Sequence, residues 1–281
     1  MTEEKLRAVA QAVNAMDKHL RMELLQKDGV LQQKKLWENT FIKHQIDRRN
    51  GGDTFTLNDH IRAMVYAMLT SGIRWERVEN EIDAGTGRIS SIDAVFHQYD
   101  PAYLLQCDPA ALRDEITRLH CGSQYTLNQM KALLCVNIGK VQAWEQQYGT
   151  IDAYYQKFIK TDGSLNDLVK QLADPSSKDK LVQMGEALTA EYLKNVGYSL
   201  AKPDRHICRI LGCTALCCSD REIVPAYDAM EFITEIAKET GKSAAEVDYI
   251  LWMYCADGFG EICTKQNPKC ERCKAREFCK R

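Results

Sequence analysis

The sequence predicts an all-α protein. Apolar residues recur at three- and four-residue intervals through most of the chain. No stretch alternates apolar with polar residues over strand length, and no Asn-Gly or Asp-Gly turn joins two β-branched runs. With 281 residues and 45% hydrophobic content, the chain can bury a sizeable core as one large domain or two modest ones. No internal repeat, low-complexity segment or glycine-rich phosphate loop is present.

Taken in order, the first helix runs from Thr2 to about Lys27, with Leu6, Val9, Val13, Met16, Leu20, Leu24 and Leu25 at helical spacing and Glu3 and Glu4 in its first turn. Polar and glycine-rich Asp47 to Asp53 marks a loop. The next helix, Asp59 to Leu69, is capped at Thr56 or Asn58 and ends at Thr70-Ser71-Gly72; Ile61, Met64, Val65, Met68 and Leu69 make it central and buried. Further helices are expected at Asp108–His120, Leu127–Gln147, Ile151–Ile159, Leu165–Ala173 and Lys178–Val196. Within the last of these, a tight turn at Gln183-Met184-Gly185 separates the end of one helix from a second closed by Gly197. A short helix after Asp204 reaches Leu211, followed by Pro225–Glu239 and Ser243–Cys255.

The N-terminus has neither the basic start nor the apolar stretch of a secretory signal, and no apolar run reaches membrane-spanning length. The expected compartment is the cytoplasm, with no membrane partner and a monomeric chain. A reducing interior also suits the twelve cysteines: four fall in one loop, and others such as Cys135, Cys208 and Cys255 sit in apolar helical patterns as small core residues. The formal net charge of −2 argues mildly against nucleic acid, but acidic residues are scattered through the N-terminal two-thirds while the C-terminus is basic.

That C-terminus carries Cys263, Cys270, Cys273 and Cys279, separated by gaps of six, two and five residues and by almost no apolar side chains. A segment with so little core needs another source of folding free energy, and thiolates binding a metal centre supply it. Four-cysteine zinc sites usually pair two distant two-residue knuckles. One compact loop with a single close pair suits a cuboidal [4Fe-4S] cluster better, with a zinc clip or reduced surface thiols as alternatives. Lys265, Lys269, Arg272, Lys274, Arg276, Lys280 and Arg281 give the same loop the charge of a phosphate-binding surface.

This spacing resembles the iron-sulfur loop of the endonuclease III branch of the helix-hairpin-helix DNA glycosylase superfamily. A second resemblance lies upstream, where Leu181-Val-Gln183-Met184-Gly185 is similar to the family's hairpin turn and Asp204-Arg-His-Ile207 to the segment bearing its catalytic aspartate. The resemblance implies a two-lobed architecture. A helical barrel would span residues 55–200, and residues 1–54 with 201–281 would form a discontinuous cluster domain, DNA lying in the cleft between. It covers roughly residues 178–281 well and residues before 55 weakly. By the same carry-over Asp204 is the catalytic carboxylate, Cys263, Cys270, Cys273 and Cys279 hold the [4Fe-4S] cluster, and Gln183, Met184 and Gly185 offer backbone N–H groups to a phosphate. Lys194, Arg205 and Arg74 are candidate DNA contacts. Arg209 and Lys202 are plausible phosphate contacts too, each of Lys194, Arg205, Arg209 and Lys202 being equally readable as solvated surface, and Trp75, Trp252 and Tyr254 are read as core aromatics.

The sequence departs from the family in three places. The hairpin reads Leu-Val-Gln-Met-Gly where the family usually has Leu-Pro-Gly-Val-Gly, so Gln183 stands for the first glycine. The turn at Leu69–Trp75 has no glutamine to fill the gap left by an extruded base. Ala187 occupies the position of the lysine whose amine forms a Schiff base in bifunctional members. The expectation is therefore a monofunctional DNA N-glycosylase acting on double-stranded DNA that contains a modified base. The alternative is a non-catalytic DNA-damage or DNA-structure binding protein on the same scaffold. An electron-transfer role is the third reading, disfavoured because the cysteines lack the usual ferredoxin run. Asp204 has a plain alternative as a helix cap, and His206 is expected to be a helix residue bonded to a neighbour.

Overall fold

A computed structural model of the chain describes residues 1–26, 29, 33–73 and 75–279. Among these residues every extended element is helical, and the sole β feature is an isolated bridge between Ile82 and Ile89. The helices are α1 Glu3–Gln26, α2 Phe41–Asn50, α3 Leu57–Leu69, α4 Glu76–Glu79, α5 Ser90–Val95, α6 Pro101–Leu104, α7 Pro109–Arg118, α8 Thr126–Ala132, α9 Ile138–Tyr148, α10 Ile151–Tyr155, α11 Asn166–Ala173, α12 Glu186–Asn195, α13 Arg205–Ile210, α14 Ala226–Thr240 and α15 Ala244–Cys255. A π-helical segment, Leu133–Asn137, joins α8 to α9. No helix among the described residues is long and apolar enough to cross a membrane.

The chain divides into two compact units, one made of Met1–Glu38 with Ser199–Arg281 and the other of Asn39–Tyr198. In the first, α1 packs against α14 and α15, and α15 packs against α13. One stripe of α1, from Val9 and Val13 to Met16 and Leu20, is buried. On α15 burial extends round the helix, from Ala244 and Val247 through Leu251 to Tyr254 and Cys255, which makes it the centre of this unit. Each fully buried aliphatic side chain of this kind contributes about 1.5–3 kcal/mol. A polar clamp fixes the register: Lys242 pairs with Asp17 of α1 at 2.7 Å and with Glu246 of α15 at 2.9 Å.

The second unit is organised round α3, buried from His60 to Leu69 and opened by a capping box between Thr56 and Asp59. α12 lies against it. Asn195 Nδ2 donates to the Ala63 carbonyl at 3.3 Å, and the Tyr192 hydroxyl lies 2.6 Å from His60 Nδ1 and 2.7 Å from the Tyr155 hydroxyl. Burial pushes the His60 imidazole down to about 4, so it is neutral in this chain of hydroxyls.

The boundary between the units differs from the one expected at residue 54/55. Residues 39–54 belong with the second unit because α2 is bonded into it. Arg49 donates to the Val196 carbonyl at 2.8 and 2.7 Å and pairs with Asp152 at 2.9 Å, and Tyr198 donates to the same carboxylate at 2.8 Å. Gly197, at φ +81°, sits so close to α2 that a Cβ would lie 2.4 Å from the Gln45 carbonyl. The expected loop from Asp47 also gives way, since α2 continues to Asn50.

Candidate functional site

In the first unit, Pro203 leads into Asp204, which caps α13 from extended backbone at φ −86°, ψ 178°. One carboxylate oxygen, Oδ1, accepts the N–H groups of His206 at 2.8 Å and Ile207 at 3.2 Å. The other, Oδ2, takes no hydrogen bond from the described residues, and the side chain is half-buried. The plain capping role and an available carboxylate oxygen therefore coexist in one residue.

His206 follows in the first turn. Its expected bond to a neighbour is absent on one side: Nδ1 is buried and has no partner among the described residues. Burial lowers its pKa against the opposing charges of Asp204 and Asp257. Arg205 is exposed at the mouth of the same turn. Arg209 is not a surface cation; it is 8% exposed, and its Nη2 donates to the Cys263 carbonyl at 2.6 Å. The helix carrying Asp204 is thereby bonded to the first residue of the cysteine loop.

The loop folds on the end of α15. The N–H groups of Ile262 and Cys263 both donate to the Tyr254 carbonyl, at 3.0 and 2.9 Å, and Lys269 N–H donates to the Ile262 carbonyl at 2.8 Å. A turn from Cys270 to Cys273 follows, closed at 3.2 Å. All four thiols are half-buried. Burial pushes the Cys273 thiol up, reinforced by the nearby Cys263 and Cys279. No three His, Cys, Asp or Glu side chains among the described residues converge closely enough to hold a single metal ion.

The loop's cations are more engaged than their number suggests. Lys269 pairs with Glu261 at 3.0 Å, and Arg272 reaches Glu23 of α1 at 2.7 Å. Glu261 is held below the usual carboxylate range, first by the Gly258 N–H and then by Lys269. Lys274 and Arg276 are exposed, while Lys280 and Arg281 lie outside the described residues.

In the second unit, the hairpin segment takes a different form from the one expected. The first helix stops at Ala173, and residues 174–185 form a chain of turns whose carbonyls are bound by lysines. Lys180 Nζ donates to Ala173 at 2.6 Å and Met184 at 2.9 Å, and Lys140 Nζ to Lys178 at 2.7 Å and Lys180 at 2.9 Å. Burial lowers the Lys180 pKa. Asn137, from the π-helical segment, bonds both backbone groups of Val182, at 2.8 and 3.0 Å.

Gln183 adopts the left-handed conformation at φ +62° and is exposed. It thus performs the turn without a glycine, at a cost of about 1–2 kcal/mol. Met184 is fully buried, and its N–H donates to the Leu181 carbonyl at 3.2 Å, inside the turn. Gly185 opens α12 with no side-chain cap, is exposed, and has nothing within 4 Å of where a Cβ would stand. The first N–H groups of a ten-residue helix are therefore presented without a side-chain acceptor.

Three expected DNA contacts need correction or removal. Lys194 is 4% exposed and pairs with Glu191, itself buried, at 3.3 Å one turn earlier in α12; a cation there does not face solvent. Met184, expected to offer its N–H to a phosphate, donates it to the Leu181 carbonyl instead. Arg74 lies outside the described residues. Ala187 is half-buried in the first turn of α12.

Comparison with family models, with curated proteins and with solved structures returns no match for this chain.

Proposed function

We propose that the protein is a monofunctional DNA N-glycosylase of the helix-hairpin-helix type that hydrolyses the bond between deoxyribose and a modified base. The observation that carries this reading is Asp204, a half-buried carboxylate with Oδ1 spent on two helix N–H groups and Oδ2 unspent, on a helix bonded through Arg209 to the cysteine loop. As the glycosidic bond lengthens, positive charge builds on the sugar and the base leaves with the bonding electrons. Oδ2 stabilises that charge and accepts a proton from the attacking water, whose oxygen bonds to C1′. No amine occupies position 187, so no Schiff base forms there and the strand stays intact. The uncapped N-terminus of α12, behind exposed Gln183 and Gly185, supplies N–H groups for a backbone phosphate.

Cys263, Cys270, Cys273 and Cys279 would hold a [4Fe-4S] cluster. The chemistry of the donor set suits such a cluster: four half-buried thiols lie in one loop, and Cys263 and Cys279 are both near enough to Cys273 to raise its pKa. When bound, the cluster supplies the folding free energy that a loop with so small a core lacks.

The test is release of free bases from a mixed-lesion duplex pool, read by mass spectrometry. A released modified base with intact strands supports the reading. Tight retention of damaged duplex with no base released would instead support a DNA-damage binding protein, the reading favoured by Ala187 and the burial of Lys194.

A further inference from the structure

Residues 199–204 lead the chain to Asp204 without regular secondary structure, so the place of that carboxylate depends on what holds them. They are stapled to α15 from both sides. The Ser199 hydroxyl accepts the Ala245 N–H at 3.3 Å, one of the donors that a helix start leaves unpaired. One turn further along α15, Asp248 Oδ1 accepts the Lys202 N–H at 3.1 Å. Two residues three apart on the segment thus meet two residues three apart on the helix, which fixes the register between them. Asp248 is only 2% exposed, on a helix whose neighbouring Val247 and Leu251 are fully buried. A carboxyl group at that depth is costly unless it is bonded, and the Lys202 N–H is among its partners. From Lys202 the constraint passes straight to Asp204. The Lys202 carbonyl accepts the Asp204 N–H at 2.7 Å, closing a three-residue turn about Pro203. The pyrrolidine ring holds φ near about −65°, close to what such a turn requires. A shift of residue 202 is therefore carried into the backbone of 204 rather than absorbed on the way. The far end of α13 is fixed separately, through Arg209 and the Cys263 carbonyl.

We infer that Asp248 is a positioning residue for base release: by holding the Lys202 N–H it sets where Asp204 stands, while Ser199 secures the other end of the same segment. The inference deepens the glycosylase reading and rests on it. Asp248 meets no substrate in this role. Its removal leaves the cap made by Oδ1 of Asp204 and the unspent Oδ2 chemically as they were, and alters only their placement. Misplacing a reacting group by about 1 Å can cost about 10²-fold in rate, and that loss falls on the chemical step rather than on binding.

The experiment is single-turnover base release by the full chain, on a duplex carrying whichever base the mixed-lesion pool shows to be released, for wild type, Asp248→Ala, Asp248→Asn and Ser199→Ala. Duplex affinity is measured by filter binding on the same preparations. Rate constant and amplitude are read separately, because misfolded molecules lower the amplitude whereas a misplaced carboxylate lowers the rate constant. Asp248→Ala should lower the rate constant about tenfold or more at unchanged amplitude and affinity. Asp248→Asn, whose amide oxygen still accepts an N–H, should recover most of that loss, and Ser199→Ala should cost about twofold to threefold. An unchanged rate constant in Asp248→Ala, or a loss confined to its amplitude, overturns the inference and leaves the glycosylase reading standing, whereas no release by wild type overturns both. A rate constant in Asp248→Asn as low as in Asp248→Ala overturns the bond to Lys202 as the cause. Should Asp248→Ala fail to fold, Ser199→Ala decides, since that side chain is exposed: a slower rate constant supports the inference and an unchanged one overturns it.

Discussion

Two helices of this protein begin in opposite ways. α13 opens on Asp204, which satisfies two of its own N–H groups at 2.8 and 3.2 Å. α12 opens on Gly185 with no side-chain cap. The first start holds a carboxylate in place; the second leaves backbone donors for something outside the chain. A polar residue at a helix start is thus no guide to anion binding. Where the chain caps itself, the ligand-facing group is the carboxylate's spare oxygen, and where it does not, the ligand-facing groups are the N–H donors.

The largest effect separates the units by acid. His60 of the second unit has its folded pKa lowered to about 4 from an ordinary 6.5. The unfolded chain then binds the proton more readily than the folded one, so stability from this group is complete above pH 6.5 and is lost as pH falls toward 4. The total is roughly 3 kcal/mol. Urea unfolding across that range, followed beside NMR of the His60 ring, should show the decline while the native ring stays neutral to about pH 4. A ring that titrates near 6.5 in the native state would remove the buried hydroxyl chain from the account.

The difference between the two starts can be reversed directly. Gly185→Asp places a cap where a Cβ meets nothing within 4 Å, so the fold should be kept and stabilised by a few tenths of a kcal/mol. Affinity for duplex DNA should fall about tenfold, or ~1.4 kcal/mol, because the new carboxylate occupies the donors and repels phosphate. Unchanged affinity in a filter-binding titration would show that α12 does not meet the backbone. In the other direction, Asp204→Ala should lower stability by about 1 kcal/mol, and Asp204→Asn, an equally good cap, should hardly change it. Equal melting temperatures for the two variants would contradict the cap.

The smallest effect concerns Gln183. Replacing it by glycine relieves left-handed strain of about 1–2 kcal/mol, offset by about 0.5–1 kcal/mol of added chain entropy. A net gain of at most about 1.5 kcal/mol is expected, measurable as a rise in the denaturation midpoint. A loss would mean that the Gln183 side chain makes contacts worth more than the strain.

Much of the helical framework was legible because periodicity and caps agree along the sequence. α1 and α3 appear where the apolar spacing puts them, and Asp108, Thr150, Asp204 and Ser243 cap the helices that follow them. α2 was not legible. It has only three apolar residues, Phe41, Ile42 and Ile46, and its place depends on Arg49 bonding Val196 and Asp152 far away in the chain. The sequence predicts the end of a helix before Gly185, yet the carbonyls of that stretch are bound by Lys180 and Lys140 side chains, which no local pattern announces.

Among the candidate site residues, motif spacing points to Asp204 and the four cysteines, and the Arg209 bond to the Cys263 carbonyl ties the helix of the one to the loop of the others. Lys194 misled, although Glu191 three residues earlier was the available signal of a pair within the helix. Tyr254 and Cys255 looked like ordinary core residues because their apolar spacing is genuine. Tyr254 nevertheless holds the cysteine loop through its carbonyl and its hydroxyl, a relation created by folding rather than by spacing.

The central claim is that the unspent oxygen of Asp204 performs hydrolysis. The most direct measurement is single-turnover base release by wild type and Asp204→Asn at matched iron content and melting temperature. The account predicts that release falls by on the order of 10²–10⁴-fold in Asp204→Asn, with visible absorption and stability unchanged. Equal release by the two proteins would contradict it.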